Sequence, residues 1–201
     1  SGTGLFAEIL LKQGYSVTGI EPNEEMRAAG EKRLAHYIGF TSRRHRAEQT
    51  GLRHESVDLI TVAQAFHWMD KERTKAEFER ILKPGGHIVL AWNLRLKNTP
   101  FLEEYDKLKN EYALEPQILN KTSEPEIQAF FAPAQMNVDQ FPNVQMLDFD
   151  SLKGQLLSSS YIPLPGHESY DSMISKLIQL FVAYNENGFV KMEYETKLYW
   201  I

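Results

Sequence analysis

The sequence predicts an α/β fold: a doubly wound, mostly parallel sheet with an antiparallel C-terminal strand and a helical insertion. Three observations carry this. Helix and strand patterns alternate over the first ninety or so residues, as parallel crossovers require. A glycine-rich turn, Ser1-Gly2-Thr3-Gly4, leads straight into a helix. The final stretch, Phe189–Trp200, alternates apolar and charged residues with period two, which marks a strand with one wet face.

In order along the chain, Leu5–Gln13 reads as a helix stopped by Gly14, a favoured residue just past a helix end. Tyr15–Ile20 is a strand. Asn23 caps a helix to about Tyr37, with Glu24 and Glu25 in its first turn, where the helix dipole favours acids. Phe40–His45 is a short strand, and Val57–Ala63 is an apolar, β-branched run fit for a buried one. Lys71–Leu82 is a helix burying Phe78, Ile81 and Leu82; Lys83–Gly86 is a turn, and His87–Trp92 a buried strand.

Beyond Trp92 the rhythm changes. Phe101, Tyr105, Leu108 and Tyr112 share one helical face. Residues 115–143 carry four prolines and little periodicity, apart from a short helix at Glu124–Phe131. The stretch 94–140 is therefore expected to be a helical insertion or cap on a single domain spanning 1–201. Val144–Phe149 reads as a strand, Ser151–Leu157 as a helix and Ser158–Tyr161 as a loop. Ile174, Leu177, Ile178 and Phe181 mark the last helix, and Val190, Met192, Tyr194, Thr196, Leu198 and Trp200 the apolar face of the last strand.

With 201 residues and 42% hydrophobic content, the chain can bury a substantial core. A formal charge of −5 argues against general affinity for nucleic acid or anionic lipid. The one basic run, Arg43-Arg44-His45-Arg46, reads as a solvated edge or as an anion or substrate contact. The absence of cysteine excludes a disulfide framework and fits a cytoplasmic setting. No apolar run approaches the ~20 residues that span a bilayer, and no signal peptide is visible. The scattered histidines show no metal-ligand spacing, so no metal site is expected. Oligomeric state is not legible.

The chemistry starts at Gly2-Thr3-Gly4 with Ala7, which satisfies G-x-G-x-x-G/A, a weak signal alone. The same residues also read as a plain helix-start turn or a cloning remnant. Glu21, at the end of the next strand, stands where one carboxylate takes two ribose hydroxyls. Together they indicate a nucleoside cofactor, of which two kinds fit.

Downstream residues separate them by resemblance. The run from Ser1 to Trp92 resembles a class I S-adenosylmethionine-dependent methyltransferase of the small-molecule type. Ser1-Gly2-Thr3-Gly4 resembles the second half of that family's first motif; its acidic residue and first Gly, with the strand bearing them, are expected ahead of Ser1. Gly19–Met26 resembles the second motif, which implies Glu21 on the ribose and Pro22 and Met26 near the adenine. Arg46–Leu52 resembles the segment beside the adenine amine, which makes Ala47 and Glu48 candidates. Gln64-Ala65-Phe66-His67-Trp68 resembles the loop bordering the methyl group. That form, the Leu157–Pro163 segment and the ending Tyr194–Trp200 are similar to a branch containing trans-aconitate methyltransferase-like proteins.

The resemblance implies a Rossmann-like fold, S-adenosylmethionine as cofactor and a small-molecule methyl acceptor. His67 is the candidate catalytic base, or else packs under the cofactor. Trp68, Trp92 and Tyr161 are candidate substrate contacts, with plain core as the other reading of the tryptophans. A nicotinamide-dependent oxidoreductase and a non-catalytic binding protein of the same fold remain the alternatives.

Overall fold

The computed structural model describes residues 1–114, 122–159 and 161–201. Part of the proline-bearing stretch, 115–121, and Ser160 of the serine-rich loop lie outside the described residues. The chain divides into two compact units. The first comprises 1–92, 122–139 and 198–201; the second comprises 93–121 and 140–197. The expected insertion 94–140 is thereby split, because Ile127, Phe130 and Phe131 belong to the core of the first unit.

In the first unit, α1 (Leu5–Lys12) ends where Gly14 takes φ +86°. Gly14 N–H donates to Leu11 O and Tyr15 N–H to Leu10 O, the paired bonds of a left-handed helix stop. β1 (Val17–Ile20) lies parallel to β2 (Phe40–Arg43), Val17 facing Phe40. Between them runs α2 (Glu24–Leu34), shorter than expected, with the Asn23 side chain accepting Met26 N–H at 2.9 Å.

A second sheet has the order β3-β4-β6-β5. β3 (Val57–Ala63) and β4 (Leu82–Arg95) are parallel, Ile60 facing Ile88. The expected turn at 83–86 lies inside β4 as a bulge, between the Val57–Leu82 and Leu59–His87 pairs. A Cβ on Gly86 would come within 2.9 Å of the Asp58 carbonyl oxygen, so the close approach there requires glycine. α3 (Lys71–Ile81) starts on Asp70, whose side chain accepts Arg73 N–H, and buries Phe78 and Ile81.

β6 (Val190–Trp200) is antiparallel to β4, as its wet-face pattern predicted: Ile88 and Ile201 exchange both backbone hydrogen bonds, at 3.3 and 3.2 Å. Its inward residues differ from expectation at the end. Tyr199 is buried instead of Trp200, meeting the Trp92 ring edge-on at 5.7 Å, while the Trp200 indole N–H reaches Asp139 at 2.7 Å. An amphipathic indole with a carboxylate partner is held at the surface more readily than a strict alternation allows.

The second unit packs α4 (Pro100–Glu111), α6 (Phe149–Leu157) and α7 (Tyr170–Tyr184) around Leu102, Tyr105, Leu152, Leu156, Met173 and Leu177. α7 buries Met173, Leu177 and Leu180, whereas Ile178, expected inward, is exposed. β5 (Asn137–Leu147) starts well before the expected Val144 and stops short of Phe149. Asp148 caps α6 by accepting Ser151 N–H at 2.8 Å, which draws Phe149 into the helix. As an edge strand, exposed along nearly all its length, β5 tolerates Pro142 and carries no inward pattern to read. α5 (Glu124–Phe131), in the first unit, is found where expected, closed by a capping box between Ser123 and Glu126.

Candidate functional site

Glu21 immediately follows β1 and is 9% exposed. Its Oε2 accepts Gly2 N–H at 2.7 Å and its Oε1 accepts Asn23 N–H at 2.9 Å. Burial pushes the carboxyl up, and the Asn23 and Gly2 donors outweigh it, so the group sits below its ordinary value and is ionised. Oε2 also accepts from the Ser1 nitrogen at 3.1 Å, so the remaining acceptor capacity lies mainly on Oε1. Thr3 is half-buried in the turn. Gly4, at φ +84°, starts α1; a Cβ there would lie 2.8 Å from Leu34 Cδ1. Its glycine is thus demanded by packing on α2, not by a ligand alone. Met26 is half-exposed, its Cε 3.7 Å from where a Gly2 Cβ would stand.

A polar cleft of about 570 Å³ opens in the same unit. Three strand ends feed it: Pro22 past β1, Arg44, Arg46 and Glu48 past β2, and Trp68 past β3, with Arg73 added from α3. Open α/β sheets bind ligands beyond the carboxyl ends of their strands. Glu48 Oε1 accepts Asp70 N–H at 3.0 Å, which ties the segment after β2 to the start of α3. Arg44 lies 3.7 Å from Glu24, while the Arg46 and Arg73 guanidinium groups have no partner among the described residues. Trp68 is 74% exposed, its ring 4.8 Å from the His67 ring.

Beyond β3 the chain makes a strained turn. Gln64 takes φ +57°, and its N–H donates to Ala91 O at 3.0 Å. Ala65 packs against the core, and Phe66 is fully buried, edge-on to Trp92 and Phe130. His67 follows, half-buried; burial, aided by the Lys71 charge, holds its imidazole below the ordinary value and favours the neutral form.

Pro22, Glu48 and Trp68 thus share one cleft, and Gly2 and Glu21 are directly bonded. Ala47 is half-buried against the core. Trp92 packs between Phe66 and Tyr199 in the core of the first unit. Tyr161 belongs to the second unit, with Lys109 Nζ 5.1 Å from its ring centroid. Arg73 and the support at Glu77 escape sequence reasoning. Arg73 reaches the cleft only through the placement of α3, and Glu77 reads as an ordinary wet helix position. Glu77 is instead buried, accepting Thr50 N–H at 2.8 Å and two bonds from Arg80 at 2.8 Å. Among the described residues no helix is long and apolar enough to cross a membrane.

Residues 1–90 match the family described as a methyltransferase domain. An uncharacterized methyltransferase of Mycobacterium tuberculosis is 32% identical over 108 residues, 54% of this chain and 43% of the relative. An uncharacterized methyltransferase-like protein of Schizosaccharomyces pombe is 32% identical over 113 residues, 56% of this chain and 43% of the relative. The chain spans less than half the length of these curated relatives. A protein described as a type II methyltransferase from Anaeromyxobacter dehalogenans is similar in structure at TM-score 0.69 and 18% identity, covering 98% of this chain and 84% of that one. Geranyl diphosphate C-methyltransferase from Streptomyces coelicolor, solved with Mg²⁺, geranyl diphosphate and S-adenosylhomocysteine, is similar at TM-score 0.52 and 15% identity, covering 98% and 67%. At such identities the solved structures establish the fold, and the sequence match is confined to residues 1–90. Residues 1–90 are thus similar to a methyltransferase domain, and the chain shares the fold of solved methyltransferase structures.

Proposed function

We propose that the protein transfers a methyl group from S-adenosylmethionine to a small-molecule acceptor by in-line displacement, mainly through positioning. The observation that carries this is the convergence of three strand ends on one polar cleft beside the Glu21 turn. The cleft's size suits a nucleoside. The ionised Glu21 has acceptor capacity for a ribose diol, and Trp68 offers an exposed aromatic face. Pro22 and Met26 flank the adenine in this reading, with Ala47 and Glu48 beside its amine, and Gly2, Thr3 and Gly4 beneath the amino-acid end. Gln64 and Ala65 border the methyl group.

When bound, the sulfonium cofactor supplies an activated methyl group. What remains for the protein is to orient the acceptor and exclude water, worth up to roughly 7–11 kcal/mol. A carboxylate acceptor needs no base. For a hydroxyl or amine acceptor, neutral His67 takes the proton, with Trp68 and Trp92 as acceptor contacts.

Titration calorimetry with S-adenosylhomocysteine and with NAD tests the cofactor assignment. Saturable binding of the former alone is expected, and binding of NAD alone would refute the reading. Transfer of a labelled methyl group across a panel of carboxylate, hydroxyl and amine acceptors then tests the reaction. Cofactor binding with no transfer to any of them would favour a non-catalytic role.

A further inference from the structure

The second unit buries a cation that the proposed methyl transfer leaves unused. Lys109, on α4, is 7% exposed. Its ammonium donates to Ser159 Oγ at 2.9 Å and lies over the Tyr161 ring. No carboxylate pairs with it among the described residues; Asp106, on the same helix, is already held by Arg95 at 2.8 Å and Lys97 at 2.6 Å. An ammonium has three donors and gains most from an anion, and a buried charge without a counter-ion is costly. Burial accordingly pushes the Lys109 pKa down, with the Tyr161 hydroxyl opposing the shift. One helical turn earlier, the fully buried Tyr105 has a hydroxyl with no partner.

Ser159 links this cation to open space. Its oxygen accepts from Lys109, and its own hydrogen has no acceptor among the described residues. Ser159 also lines a cavity of about 460 Å³, together with Leu114, Leu157, Ile162, Leu164 and His167. His167 Nδ1 accepts Ser169 N–H at 3.2 Å, which puts the proton of the neutral ring on Nε2 as a second donor. The rest of the wall is aliphatic, with Leu164 exposed at the mouth.

We propose that this cavity binds a small amphiphilic monocarboxylate, with its chain along the leucines and Ile162. Its carboxylate is received by the Ser159 hydroxyl and the His167 ring, and Lys109 behind them supplies the counter-charge. A single buried positive charge matches a monoanion, and the aliphatic lining excludes a highly charged ligand.

Calorimetry with octanoate, octan-1-ol and octylamine tests this on the whole chain. Octanoate should bind saturably, octanol about tenfold more weakly and octylamine not at all. Lys109→Met, close in shape but uncharged, should bring octanoate and octanol within about twofold of each other, since the charged bond is what separates them. Ser159→Ala, which keeps the cation, guards against misfolding of the first variant and should weaken octanoate about fivefold with octanol unchanged. Absence of octanoate binding, equal binding of octanoate and octanol to the native protein, or an unaltered preference in both folded variants would overturn the proposal. S-adenosylhomocysteine binding, followed in parallel, should be unchanged by Lys109→Met.

Discussion

Glu77 holds Thr50 through a single carboxylate oxygen, which accepts the Thr50 N–H at 2.8 Å and its hydroxyl at 2.5 Å. Arg80 closes the arrangement, bonding both Glu77 oxygens at 2.8 Å and the Leu52 carbonyl at 2.8 Å. The segment after β2 is thereby fastened to α3. Glu48 lies two residues before Thr50, so Glu77 positions one wall of the cleft without lining it.

This predicts an acid-sensitive variant effect. The Arg80 bonds, helped by Thr50 and opposed by burial, lower the Glu77 pKa to about 2. Because the folded value lies below the ordinary 4.5, the stabilisation is complete above about pH 4.5 and fades as pH falls through about 2. Allowing for the partly exposed Arg80, it is on the order of 2 kcal/mol. Glu77→Gln should therefore lower stability in urea by about that amount at pH 6, with the gap to the native protein narrowing below pH 4.5. A gap constant from pH 6 to pH 2 would refute this.

Much of the fold was legible because its signals are local. Asn23 caps a helix from a fixed position, Gly14 stops one, and Val57–Ala63 forms the strand its β-branched run predicted. The failures are tertiary. β5 has no buried face to announce it, and Tyr199 takes the place of Trp200 because Asp139 satisfies the indole. In the cleft, Pro22, Glu48 and Trp68 stand at strand ends that motif spacing locates. Arg73 and Glu77 arrive from the far side of a crossover, and only the docking of α3 reveals them. The mixed cation–aromatic character of the cleft was visible merely as a charged run.

Glu21 links the turn to the proposed ribose site. Replacing it by Gln presents an NH₂ group to one of two backbone N–H donors that now each face a carboxylate oxygen. Glu21→Gln should cost about 1–3 kcal/mol of stability and weaken S-adenosylhomocysteine at least tenfold, on the order of one lost charged hydrogen bond. Loss of stability with unaltered affinity would assign Glu21 to the turn alone.

Trp68 separates binding from stability. At 74% exposure it contributes little burial, so Trp68→Ala should change the unfolding free energy by no more than about 0.5 kcal/mol. Loss of an aromatic face at the acceptor should raise the acceptor KM by roughly 1 kcal/mol, about fivefold, with S-adenosylhomocysteine affinity unchanged. Tryptophan fluorescence of the native protein should change on addition of a methylated acceptor, and this response should vanish in the variant.

Gln64 is a non-glycine residue at φ +57° where β3 ends. Such a conformation costs about 1–3 kcal/mol and persists where the surroundings enforce it, often at functional sites. Gln64→Gly should relieve strain and raise the melting temperature, against the usual penalty of glycine in the unfolded chain. If the side chain borders the methyl group, methyl transfer should fall while stability rises. Equal or higher activity in the stabilised variant would remove Gln64 from the site.

His67 offers a test by titration. Burial and the Lys71 charge both disfavour its protonated form, so its imidazole should titrate below the ordinary 6.5 when followed by NMR. Lys71→Gln removes one of the two causes and should move the titration toward higher pH. With a hydroxyl or amine acceptor, the acid limb of the pH–rate profile should follow the same direction. His67→Ala should then lower kcat by about 10²–10⁴. With a carboxylate acceptor, the limb and the loss should both be absent. An NMR shift in Lys71→Gln without a matching kinetic shift, for a hydroxyl or amine acceptor that the enzyme methylates, would show that His67 packs beside the reaction and takes no proton from it.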